Sequence, residues 1–124
     1  SSWYTLHLGD DIRLKVVFYR SETGDEPVRE WLRLLSREDR KVIGEDVKTV
    51  QFGWPLGMPL VCKLESDLWE VRSNLSGNRI ARVLFTADAG TLVLLHSFVK
   101  KSRKTPKADM DVAKHRAARL RGDR

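Results

Sequence analysis

The 124-residue chain has room for one domain with its own core. Its 41% hydrophobic and 32% charged residues are those of a soluble globular protein, and no apolar run approaches the roughly 18 residues that span a membrane. The net charge of +6 lies wholly in residues 95–124, where ten Lys/Arg face three Asp/Glu (+7); residues 1–94 hold thirteen and fourteen (−1), so only the last quarter suits a polyanion or an acidic partner.

Residues 1–13, with Trp3, Tyr4, Leu6 and Leu8, are read as an unassigned N-terminal extension. No charged-then-apolar leader is evident there, which points to the cytoplasm. Residues 14–124 are read as a single domain. Leu14 to Tyr19 is β-branched and aromatic and predicts a strand. After the turn at Ser21 to Gly24, Asp25 or Glu26 can cap a helix whose first turn takes Pro27. Val28, Trp31, Leu32 and Leu35 recur at helical spacing. Ser36 starts a second helix, with Asp39 at the capping-box position and Ile43, Val47 and Val50 on one face. Gly53 and Pro55 end it. Two short amphipathic helices with almost no linker predict a helical hairpin that needs a sheet to pack on.

Four strand-like runs follow the Gly/Pro loop at Trp54 to Pro59: Val61 to Leu64, Leu68 to Ser73, Arg79 to Thr86 and Thr91 to Val99. Their short links predict antiparallel neighbours. The only cysteine, Cys62, falls in the first run; it excludes an internal disulfide and reads as a core residue. Thr105-Pro106 is read as the cap of a last helix, with Met110, Ala113, Ala117 and Leu120 as its apolar stripe. Its acids come early and its bases late, the order the helix dipole favours. The fold class is therefore α+β: a strand and helical hairpin on a mainly antiparallel sheet, with a basic C-terminal helix.

Strand alternation sorts the charges. Glu70 and Arg72 share one face of their strand, and Arg82 sits mid-strand beside Val83 and Leu84. An arginine there is costly to bury alone, so it faces solvent, a carboxylate such as Glu70, or a ligand. An ion pair of Glu70 with Arg72 or Arg82 and an anion-binding role are both open at this level. Lys63, Arg72, Arg82 and Lys100 or Lys101 could line one basic face, suited to an RNA backbone and to charge developing on a phosphate. His96, inside the last strand, is either a packing residue or a proton-transfer group near the basic exit. Phe85 and Phe98 read as core rather than as a base-stacking platform. No metal motif, Gly-rich phosphate loop or nucleophile elbow is present, and no cofactor is expected.

The segments KVVFYR (15–20) with Gly24, PVREWLRLL (27–35), KLESDLWEVR (63–72), RIARVLF (79–85) and LLHSFVKKSRKTP (94–106) together resemble the RelE/ParE toxin superfamily. Within it they are most similar to the HigB-like, phage-derived branch. Ser97 departs from the glycine that relatives commonly carry. The resemblance covers about residues 14–120 and implies a type II toxin that cleaves mRNA on the ribosome and is silenced by a helix-turn-helix, HigA-like antitoxin. It implies metal-independent chemistry in which the ribose 2′-OH attacks the adjacent phosphate. Carried over by motif, Arg72 and Arg82 hold the scissile phosphate, and Lys100 or Lys101 neutralises it or protonates the leaving oxygen. Glu70 or His96 takes the 2′-OH proton, and Lys63, Arg103, Lys104 and Lys107 bind RNA. A ParE-like gyrase inhibitor and a non-enzymatic nucleic-acid-binding module are the alternatives.

Overall fold

The computed structural model describes residues 14–122; the N-terminal extension read at 1–13 lies outside them. Strand β1 (Lys15–Phe18) leads into helix α1 (Pro27–Arg33) and, after residues 34–36, into α2 (Arg37–Gly53). Pro27 starts α1, whose N-cap Glu26 makes no side-chain cap. Ser36 caps α2, its hydroxyl accepting from the Asp39 N–H at 3.1 Å. Such a cap contributes about 0.5–2 kcal/mol.

Strands β2 (Val61–Glu65), β3 (Leu68–Leu75), β4 (Arg79–Asp88) and β5 (Thr91–Lys100) form an antiparallel meander. Ala89 and Gly90 both have positive φ in the two-residue β4–β5 turn, the backbone a tight hairpin needs. The sheet order is β1-β5-β4-β3-β2, and β1 joins β5 in parallel. The local pattern of β1 carries no sign of this parallel partner. The α+β class expected from the sequence is thus present, with helix α3 (Lys107–Gly122) closing the chain.

Each sheet face has its own core. One packs Val28, Ile43 and Val50 of α1 and α2 against Val61, Val71, Val83, Phe85, Leu92 and Leu94. The other packs Ala113 and Ala117 of α3 against Tyr19, Leu68, Leu84, Val93 and Leu95. A register shift pairs Leu84 with His96 but Phe85 with Leu94, so Leu95 is an extra residue in β5. Such a bulge re-aims the side chains beyond it, here just before the basic exit of the strand.

Arg116 and Arg119 hold α3 in place. Arg116 donates to the Leu95 carbonyl at 2.8 Å, and Arg119 donates to the Tyr19 hydroxyl at 3.1 Å and the Arg20 carbonyl at 3.0 Å. Both guanidiniums also lie over the Tyr19 ring. Burial lowers the Arg116 pKa below the usual arginine value, opposed by Tyr19. Part of the C-terminal charge is therefore structural.

Candidate functional site

Directly opposed residues of a sheet share a face. The register rows Glu70–Leu84–His96, Arg72–Arg82–Phe98 and Asn74–Ile80–Lys100 therefore lie on the α3 face. Lys63 pairs with Trp69, which packs with Trp54 and Phe85 on the opposite face. Its ammonium lies 5.9 Å from the Trp69 ring centroid. The single basic face expected to include Lys63 is corrected here: the register sets Lys63 apart from Arg72 and Arg82.

Residues 101–105 cross the α3 face between β5 and α3 and bond down onto it. Glu70 and Arg82 are fully buried beneath them, whereas Arg72 keeps 18% of its side chain exposed. Arg72 Nε donates to Glu70 Oε1 at 2.7 Å, and its Nη2 donates to the Arg103 carbonyl at 3.0 Å. Arg82 Nη1 lies 3.7 Å from Glu70 Oε1, and its Nη2 donates to the Ser102 carbonyl. The Thr105 hydroxyl donates to Glu70 Oε2 at 2.7 Å and accepts from Arg82 Nη1 at 3.5 Å. Arg82 Nε is buried and has no partner among the described residues.

Glu70 engages both arginines, so the two candidate ion pairs form one buried cluster. Burial lowers the Arg82 pKa; Glu70 opposes that shift and Arg72 adds to it. The guanidinium lies 5.8 Å from the Phe98 ring, so its charge is met by Glu70, two loop acceptors and an aromatic face.

Above the cluster lies a groove. A cavity of about 260 Å³ lined by Met58, Pro59, Arg72, Asn74, Ile80 and Arg103 adjoins one of about 310 Å³ lined by Asn74, Leu75, Asn78, Arg79, Ile80, Lys101 and Arg103. The two share Asn74, Ile80 and Arg103 and so form one trough with a basic rim. A larger cavity, about 500 Å³, lies beside α3 between Asp67, Asp88 and Arg121 and shares no residue with the trough.

The family model described as "Phage derived protein Gp49-like (DUF891)" matches residues 30–118, most of the chain and every residue of the cluster and trough. The chain belongs to this Gp49-like family. The family is one of RelE/HigB-like toxins. No curated protein matches the chain.

In this Gp49-like chain the structure brings together Arg72, Lys101 and Arg103 at the trough, with Arg82 and Glu70 beneath. Lys100 ends β5 exposed on the same face. Lys104 and Lys107 are exposed, and Lys107 pairs with Asp111 at 3.2 Å. His96 stands apart from the trough: its Nε2 meets Asp109 Oδ1 of α3 at 2.7 Å. Two sequence readings change. Glu70 has no exposed surface from which to take a substrate proton, because two donors, the Arg82 guanidinium and the loop enclose it. Thr105, two residues before α3 begins, turns its hydroxyl to the sheet instead of the helix: it donates to Glu70 and accepts from Arg82.

The sequence reading also missed Arg79. It lines the trough and forks onto Asp39 of α2 through bonds of 3.0 and 3.2 Å. No local signal marks this pair, whose members lie 40 residues apart.

Proposed function

We propose that the chain is the toxin of a type II toxin–antitoxin pair and a metal-independent endoribonuclease that cuts mRNA on the ribosome in the cytoplasm. The observation that carries this reading is Arg72: its guanidinium is fixed from below by a buried carboxylate and borders a trough rimmed by Lys101 and Arg103. A fixed cation beside a basic trough suits a phosphodiester of single-stranded RNA. The 2′-OH oxygen attacks the adjacent phosphorus, the bond to the 5′-oxygen breaks, and a 2′,3′-cyclic phosphate and a 5′-OH result. Arg72 stabilises the charge on the phosphoryl oxygens. The Lys101 or Lys100 ammonium gives a proton to the leaving oxygen, and the 2′-OH proton passes to water. Arg82 and Glu70 support Arg72 from below. Arg103, Lys104 and Lys107 hold flanking RNA by charge.

The basic rim also suits a small helix-turn-helix antitoxin presenting acidic groups. Induction in cells with mapping of RNA 5′ ends tests the nuclease reading. In-frame mRNA cuts that vanish in Arg72→Ala are expected. Gyrase-dependent DNA breaks with intact RNA would instead favour a gyrase inhibitor and overturn it.

A further inference from the structure

We propose that Thr105 is a positioning residue of this site: its hydroxyl holds one oxygen of Glu70, so that Glu70 anchors Arg72 by a single bond and leaves the rest of the guanidinium for a phosphate. The reaction it serves rests on the nuclease reading above; the positioning itself rests on geometry. Thr105 is 8% exposed, whereas Lys101, Arg103, Lys104 and Lys107 around it are all exposed. A buried hydroxyl in an otherwise open basic loop needs a reason, and its bonds supply one.

Glu70 divides its two oxygens. Oε2 accepts from Thr105 and Oε1 accepts from Arg72 Nε, each at 2.7 Å. A carboxylate and a guanidinium left to themselves favour two parallel bonds. With Oε2 occupied, Glu70 takes only the Nε–H of Arg72. The Nη2 group then reaches the loop carbonyl of Arg103, a neutral acceptor that a phosphate oxygen can replace. The same hydroxyl accepts from Arg82 Nη1 and so keeps the second guanidinium in register with the first.

Without the hydroxyl, Oε2 becomes a buried acceptor short of a partner, which is costly. Glu70 then turns to take a second bond from an arginine, and positive charge is drawn down from the trough. Thr105 also ties the loop that carries Lys101 and Arg103 to the sheet. It therefore sets the two halves of the trough relative to each other.

The test compares Thr105→Val, which keeps the shape, with Thr105→Ser, which keeps the hydroxyl. The readouts are single-turnover cleavage of an mRNA on purified ribosomes, affinity for the same ribosome-bound mRNA with a 2′-deoxy cut site, and the NMR signal and exchange rate of the Arg72 Nε–H. Thr105→Val is expected to slow cleavage by about 10- to 100-fold, with a much smaller loss of affinity, and to shift the Arg72 Nε–H signal and change its exchange rate. Thr105→Ser should restore both. An unchanged Arg72 signal in Thr105→Val, or losses as large in Thr105→Ser, overturns the proposal. If the wild-type protein cuts no RNA, the nuclease reading falls, and the Arg72 signal alone decides the positioning claim.

Discussion

Arg82 and Glu70 face each other at 3.7 Å with neither side chain exposed. Removing one member of such a pair strands a buried charge and costs about 3–5 kcal/mol, whereas replacing both with apolar residues can be neutral. Arg82→Met alone is expected to lower the unfolding free energy by that amount in urea titrations. Arg82→Met with Glu70→Leu should recover most of it while abolishing cleavage. Equal stability of the single variant and the wild type would contradict the ion-pair account.

Arg72 tests the chemistry with less risk to the fold, since it is partly exposed. Arg72→Ala is expected to reduce the cleavage rate by about 10²- to 10³-fold, the loss typical for one preorganised donor at a developing charge. Arg72→Lys keeps the charge but not the fork. It should lose at least tenfold in rate while unfolding within about 1 kcal/mol of wild type. A fully active lysine variant would show that charge alone suffices.

His96 and Asp109 clasp β5 to α3 at 2.7 Å. A double-mutant cycle with His96→Ala and Asp109→Ala is expected to give a coupling of about 0.5–1.5 kcal/mol. Cleavage by the folded fraction should survive both single changes. A selective loss of rate in the His96 variant would place the imidazole in the reaction.

Asp39 and Arg79 predict a pH dependence. The hydrogen bond from Arg79 holds the Asp39 carboxyl below its ordinary value of 3.8. A carboxyl lowered by folding adds stability that is fully present above the unfolded value and disappears as pH falls through the folded one. The wild type should exceed Arg79→Ala in stability near pH 7, with the difference closing only below about pH 3.8. Thermal melts of both proteins from pH 7 to pH 2 provide the check. A gap that closes at neutral pH would exclude Asp39 as its source.

Salt resolves the exposed bases. Binding of single-stranded RNA should weaken as salt rises, and each lost phosphate contact should reduce the log–log slope by about 0.7. Arg103→Ala and Lys104→Ala are each expected to do so. Arg119→Ala should destabilise the fold rather than flatten the slope, because its bonds to Tyr19 and Arg20 hold α3. Anisotropy titrations at several salt concentrations separate the two effects.

The sequence by itself determined the elements and the family resemblance. Helical stripes such as Val28, Trp31, Leu32 and Leu35 and the alternation in 68–73 are local signals, and they fix which face of each element is apolar. The excess charge after residue 95 and the motif at 94–106 are equally legible and led to Lys101 and Arg103, while strand alternation and the motif at 63–72 led to Arg72, before any strand was paired. Only the tertiary structure decided what depends on register and on contacts between distant residues. The pairing of Lys63 with Trp69 removed one lysine from the basic face. The descent of residues 101–105 onto β3 and β4 buried Glu70 and Arg82, where alternation alone left Arg82 free to face water, a carboxylate such as Glu70 or a ligand. It also turned Thr105 from an apparent helix cap into the partner of Glu70, 35 residues away. A hydroxyl carries no sequence mark of which acceptor it will meet, because that choice belongs to chain segments that meet only in the folded state.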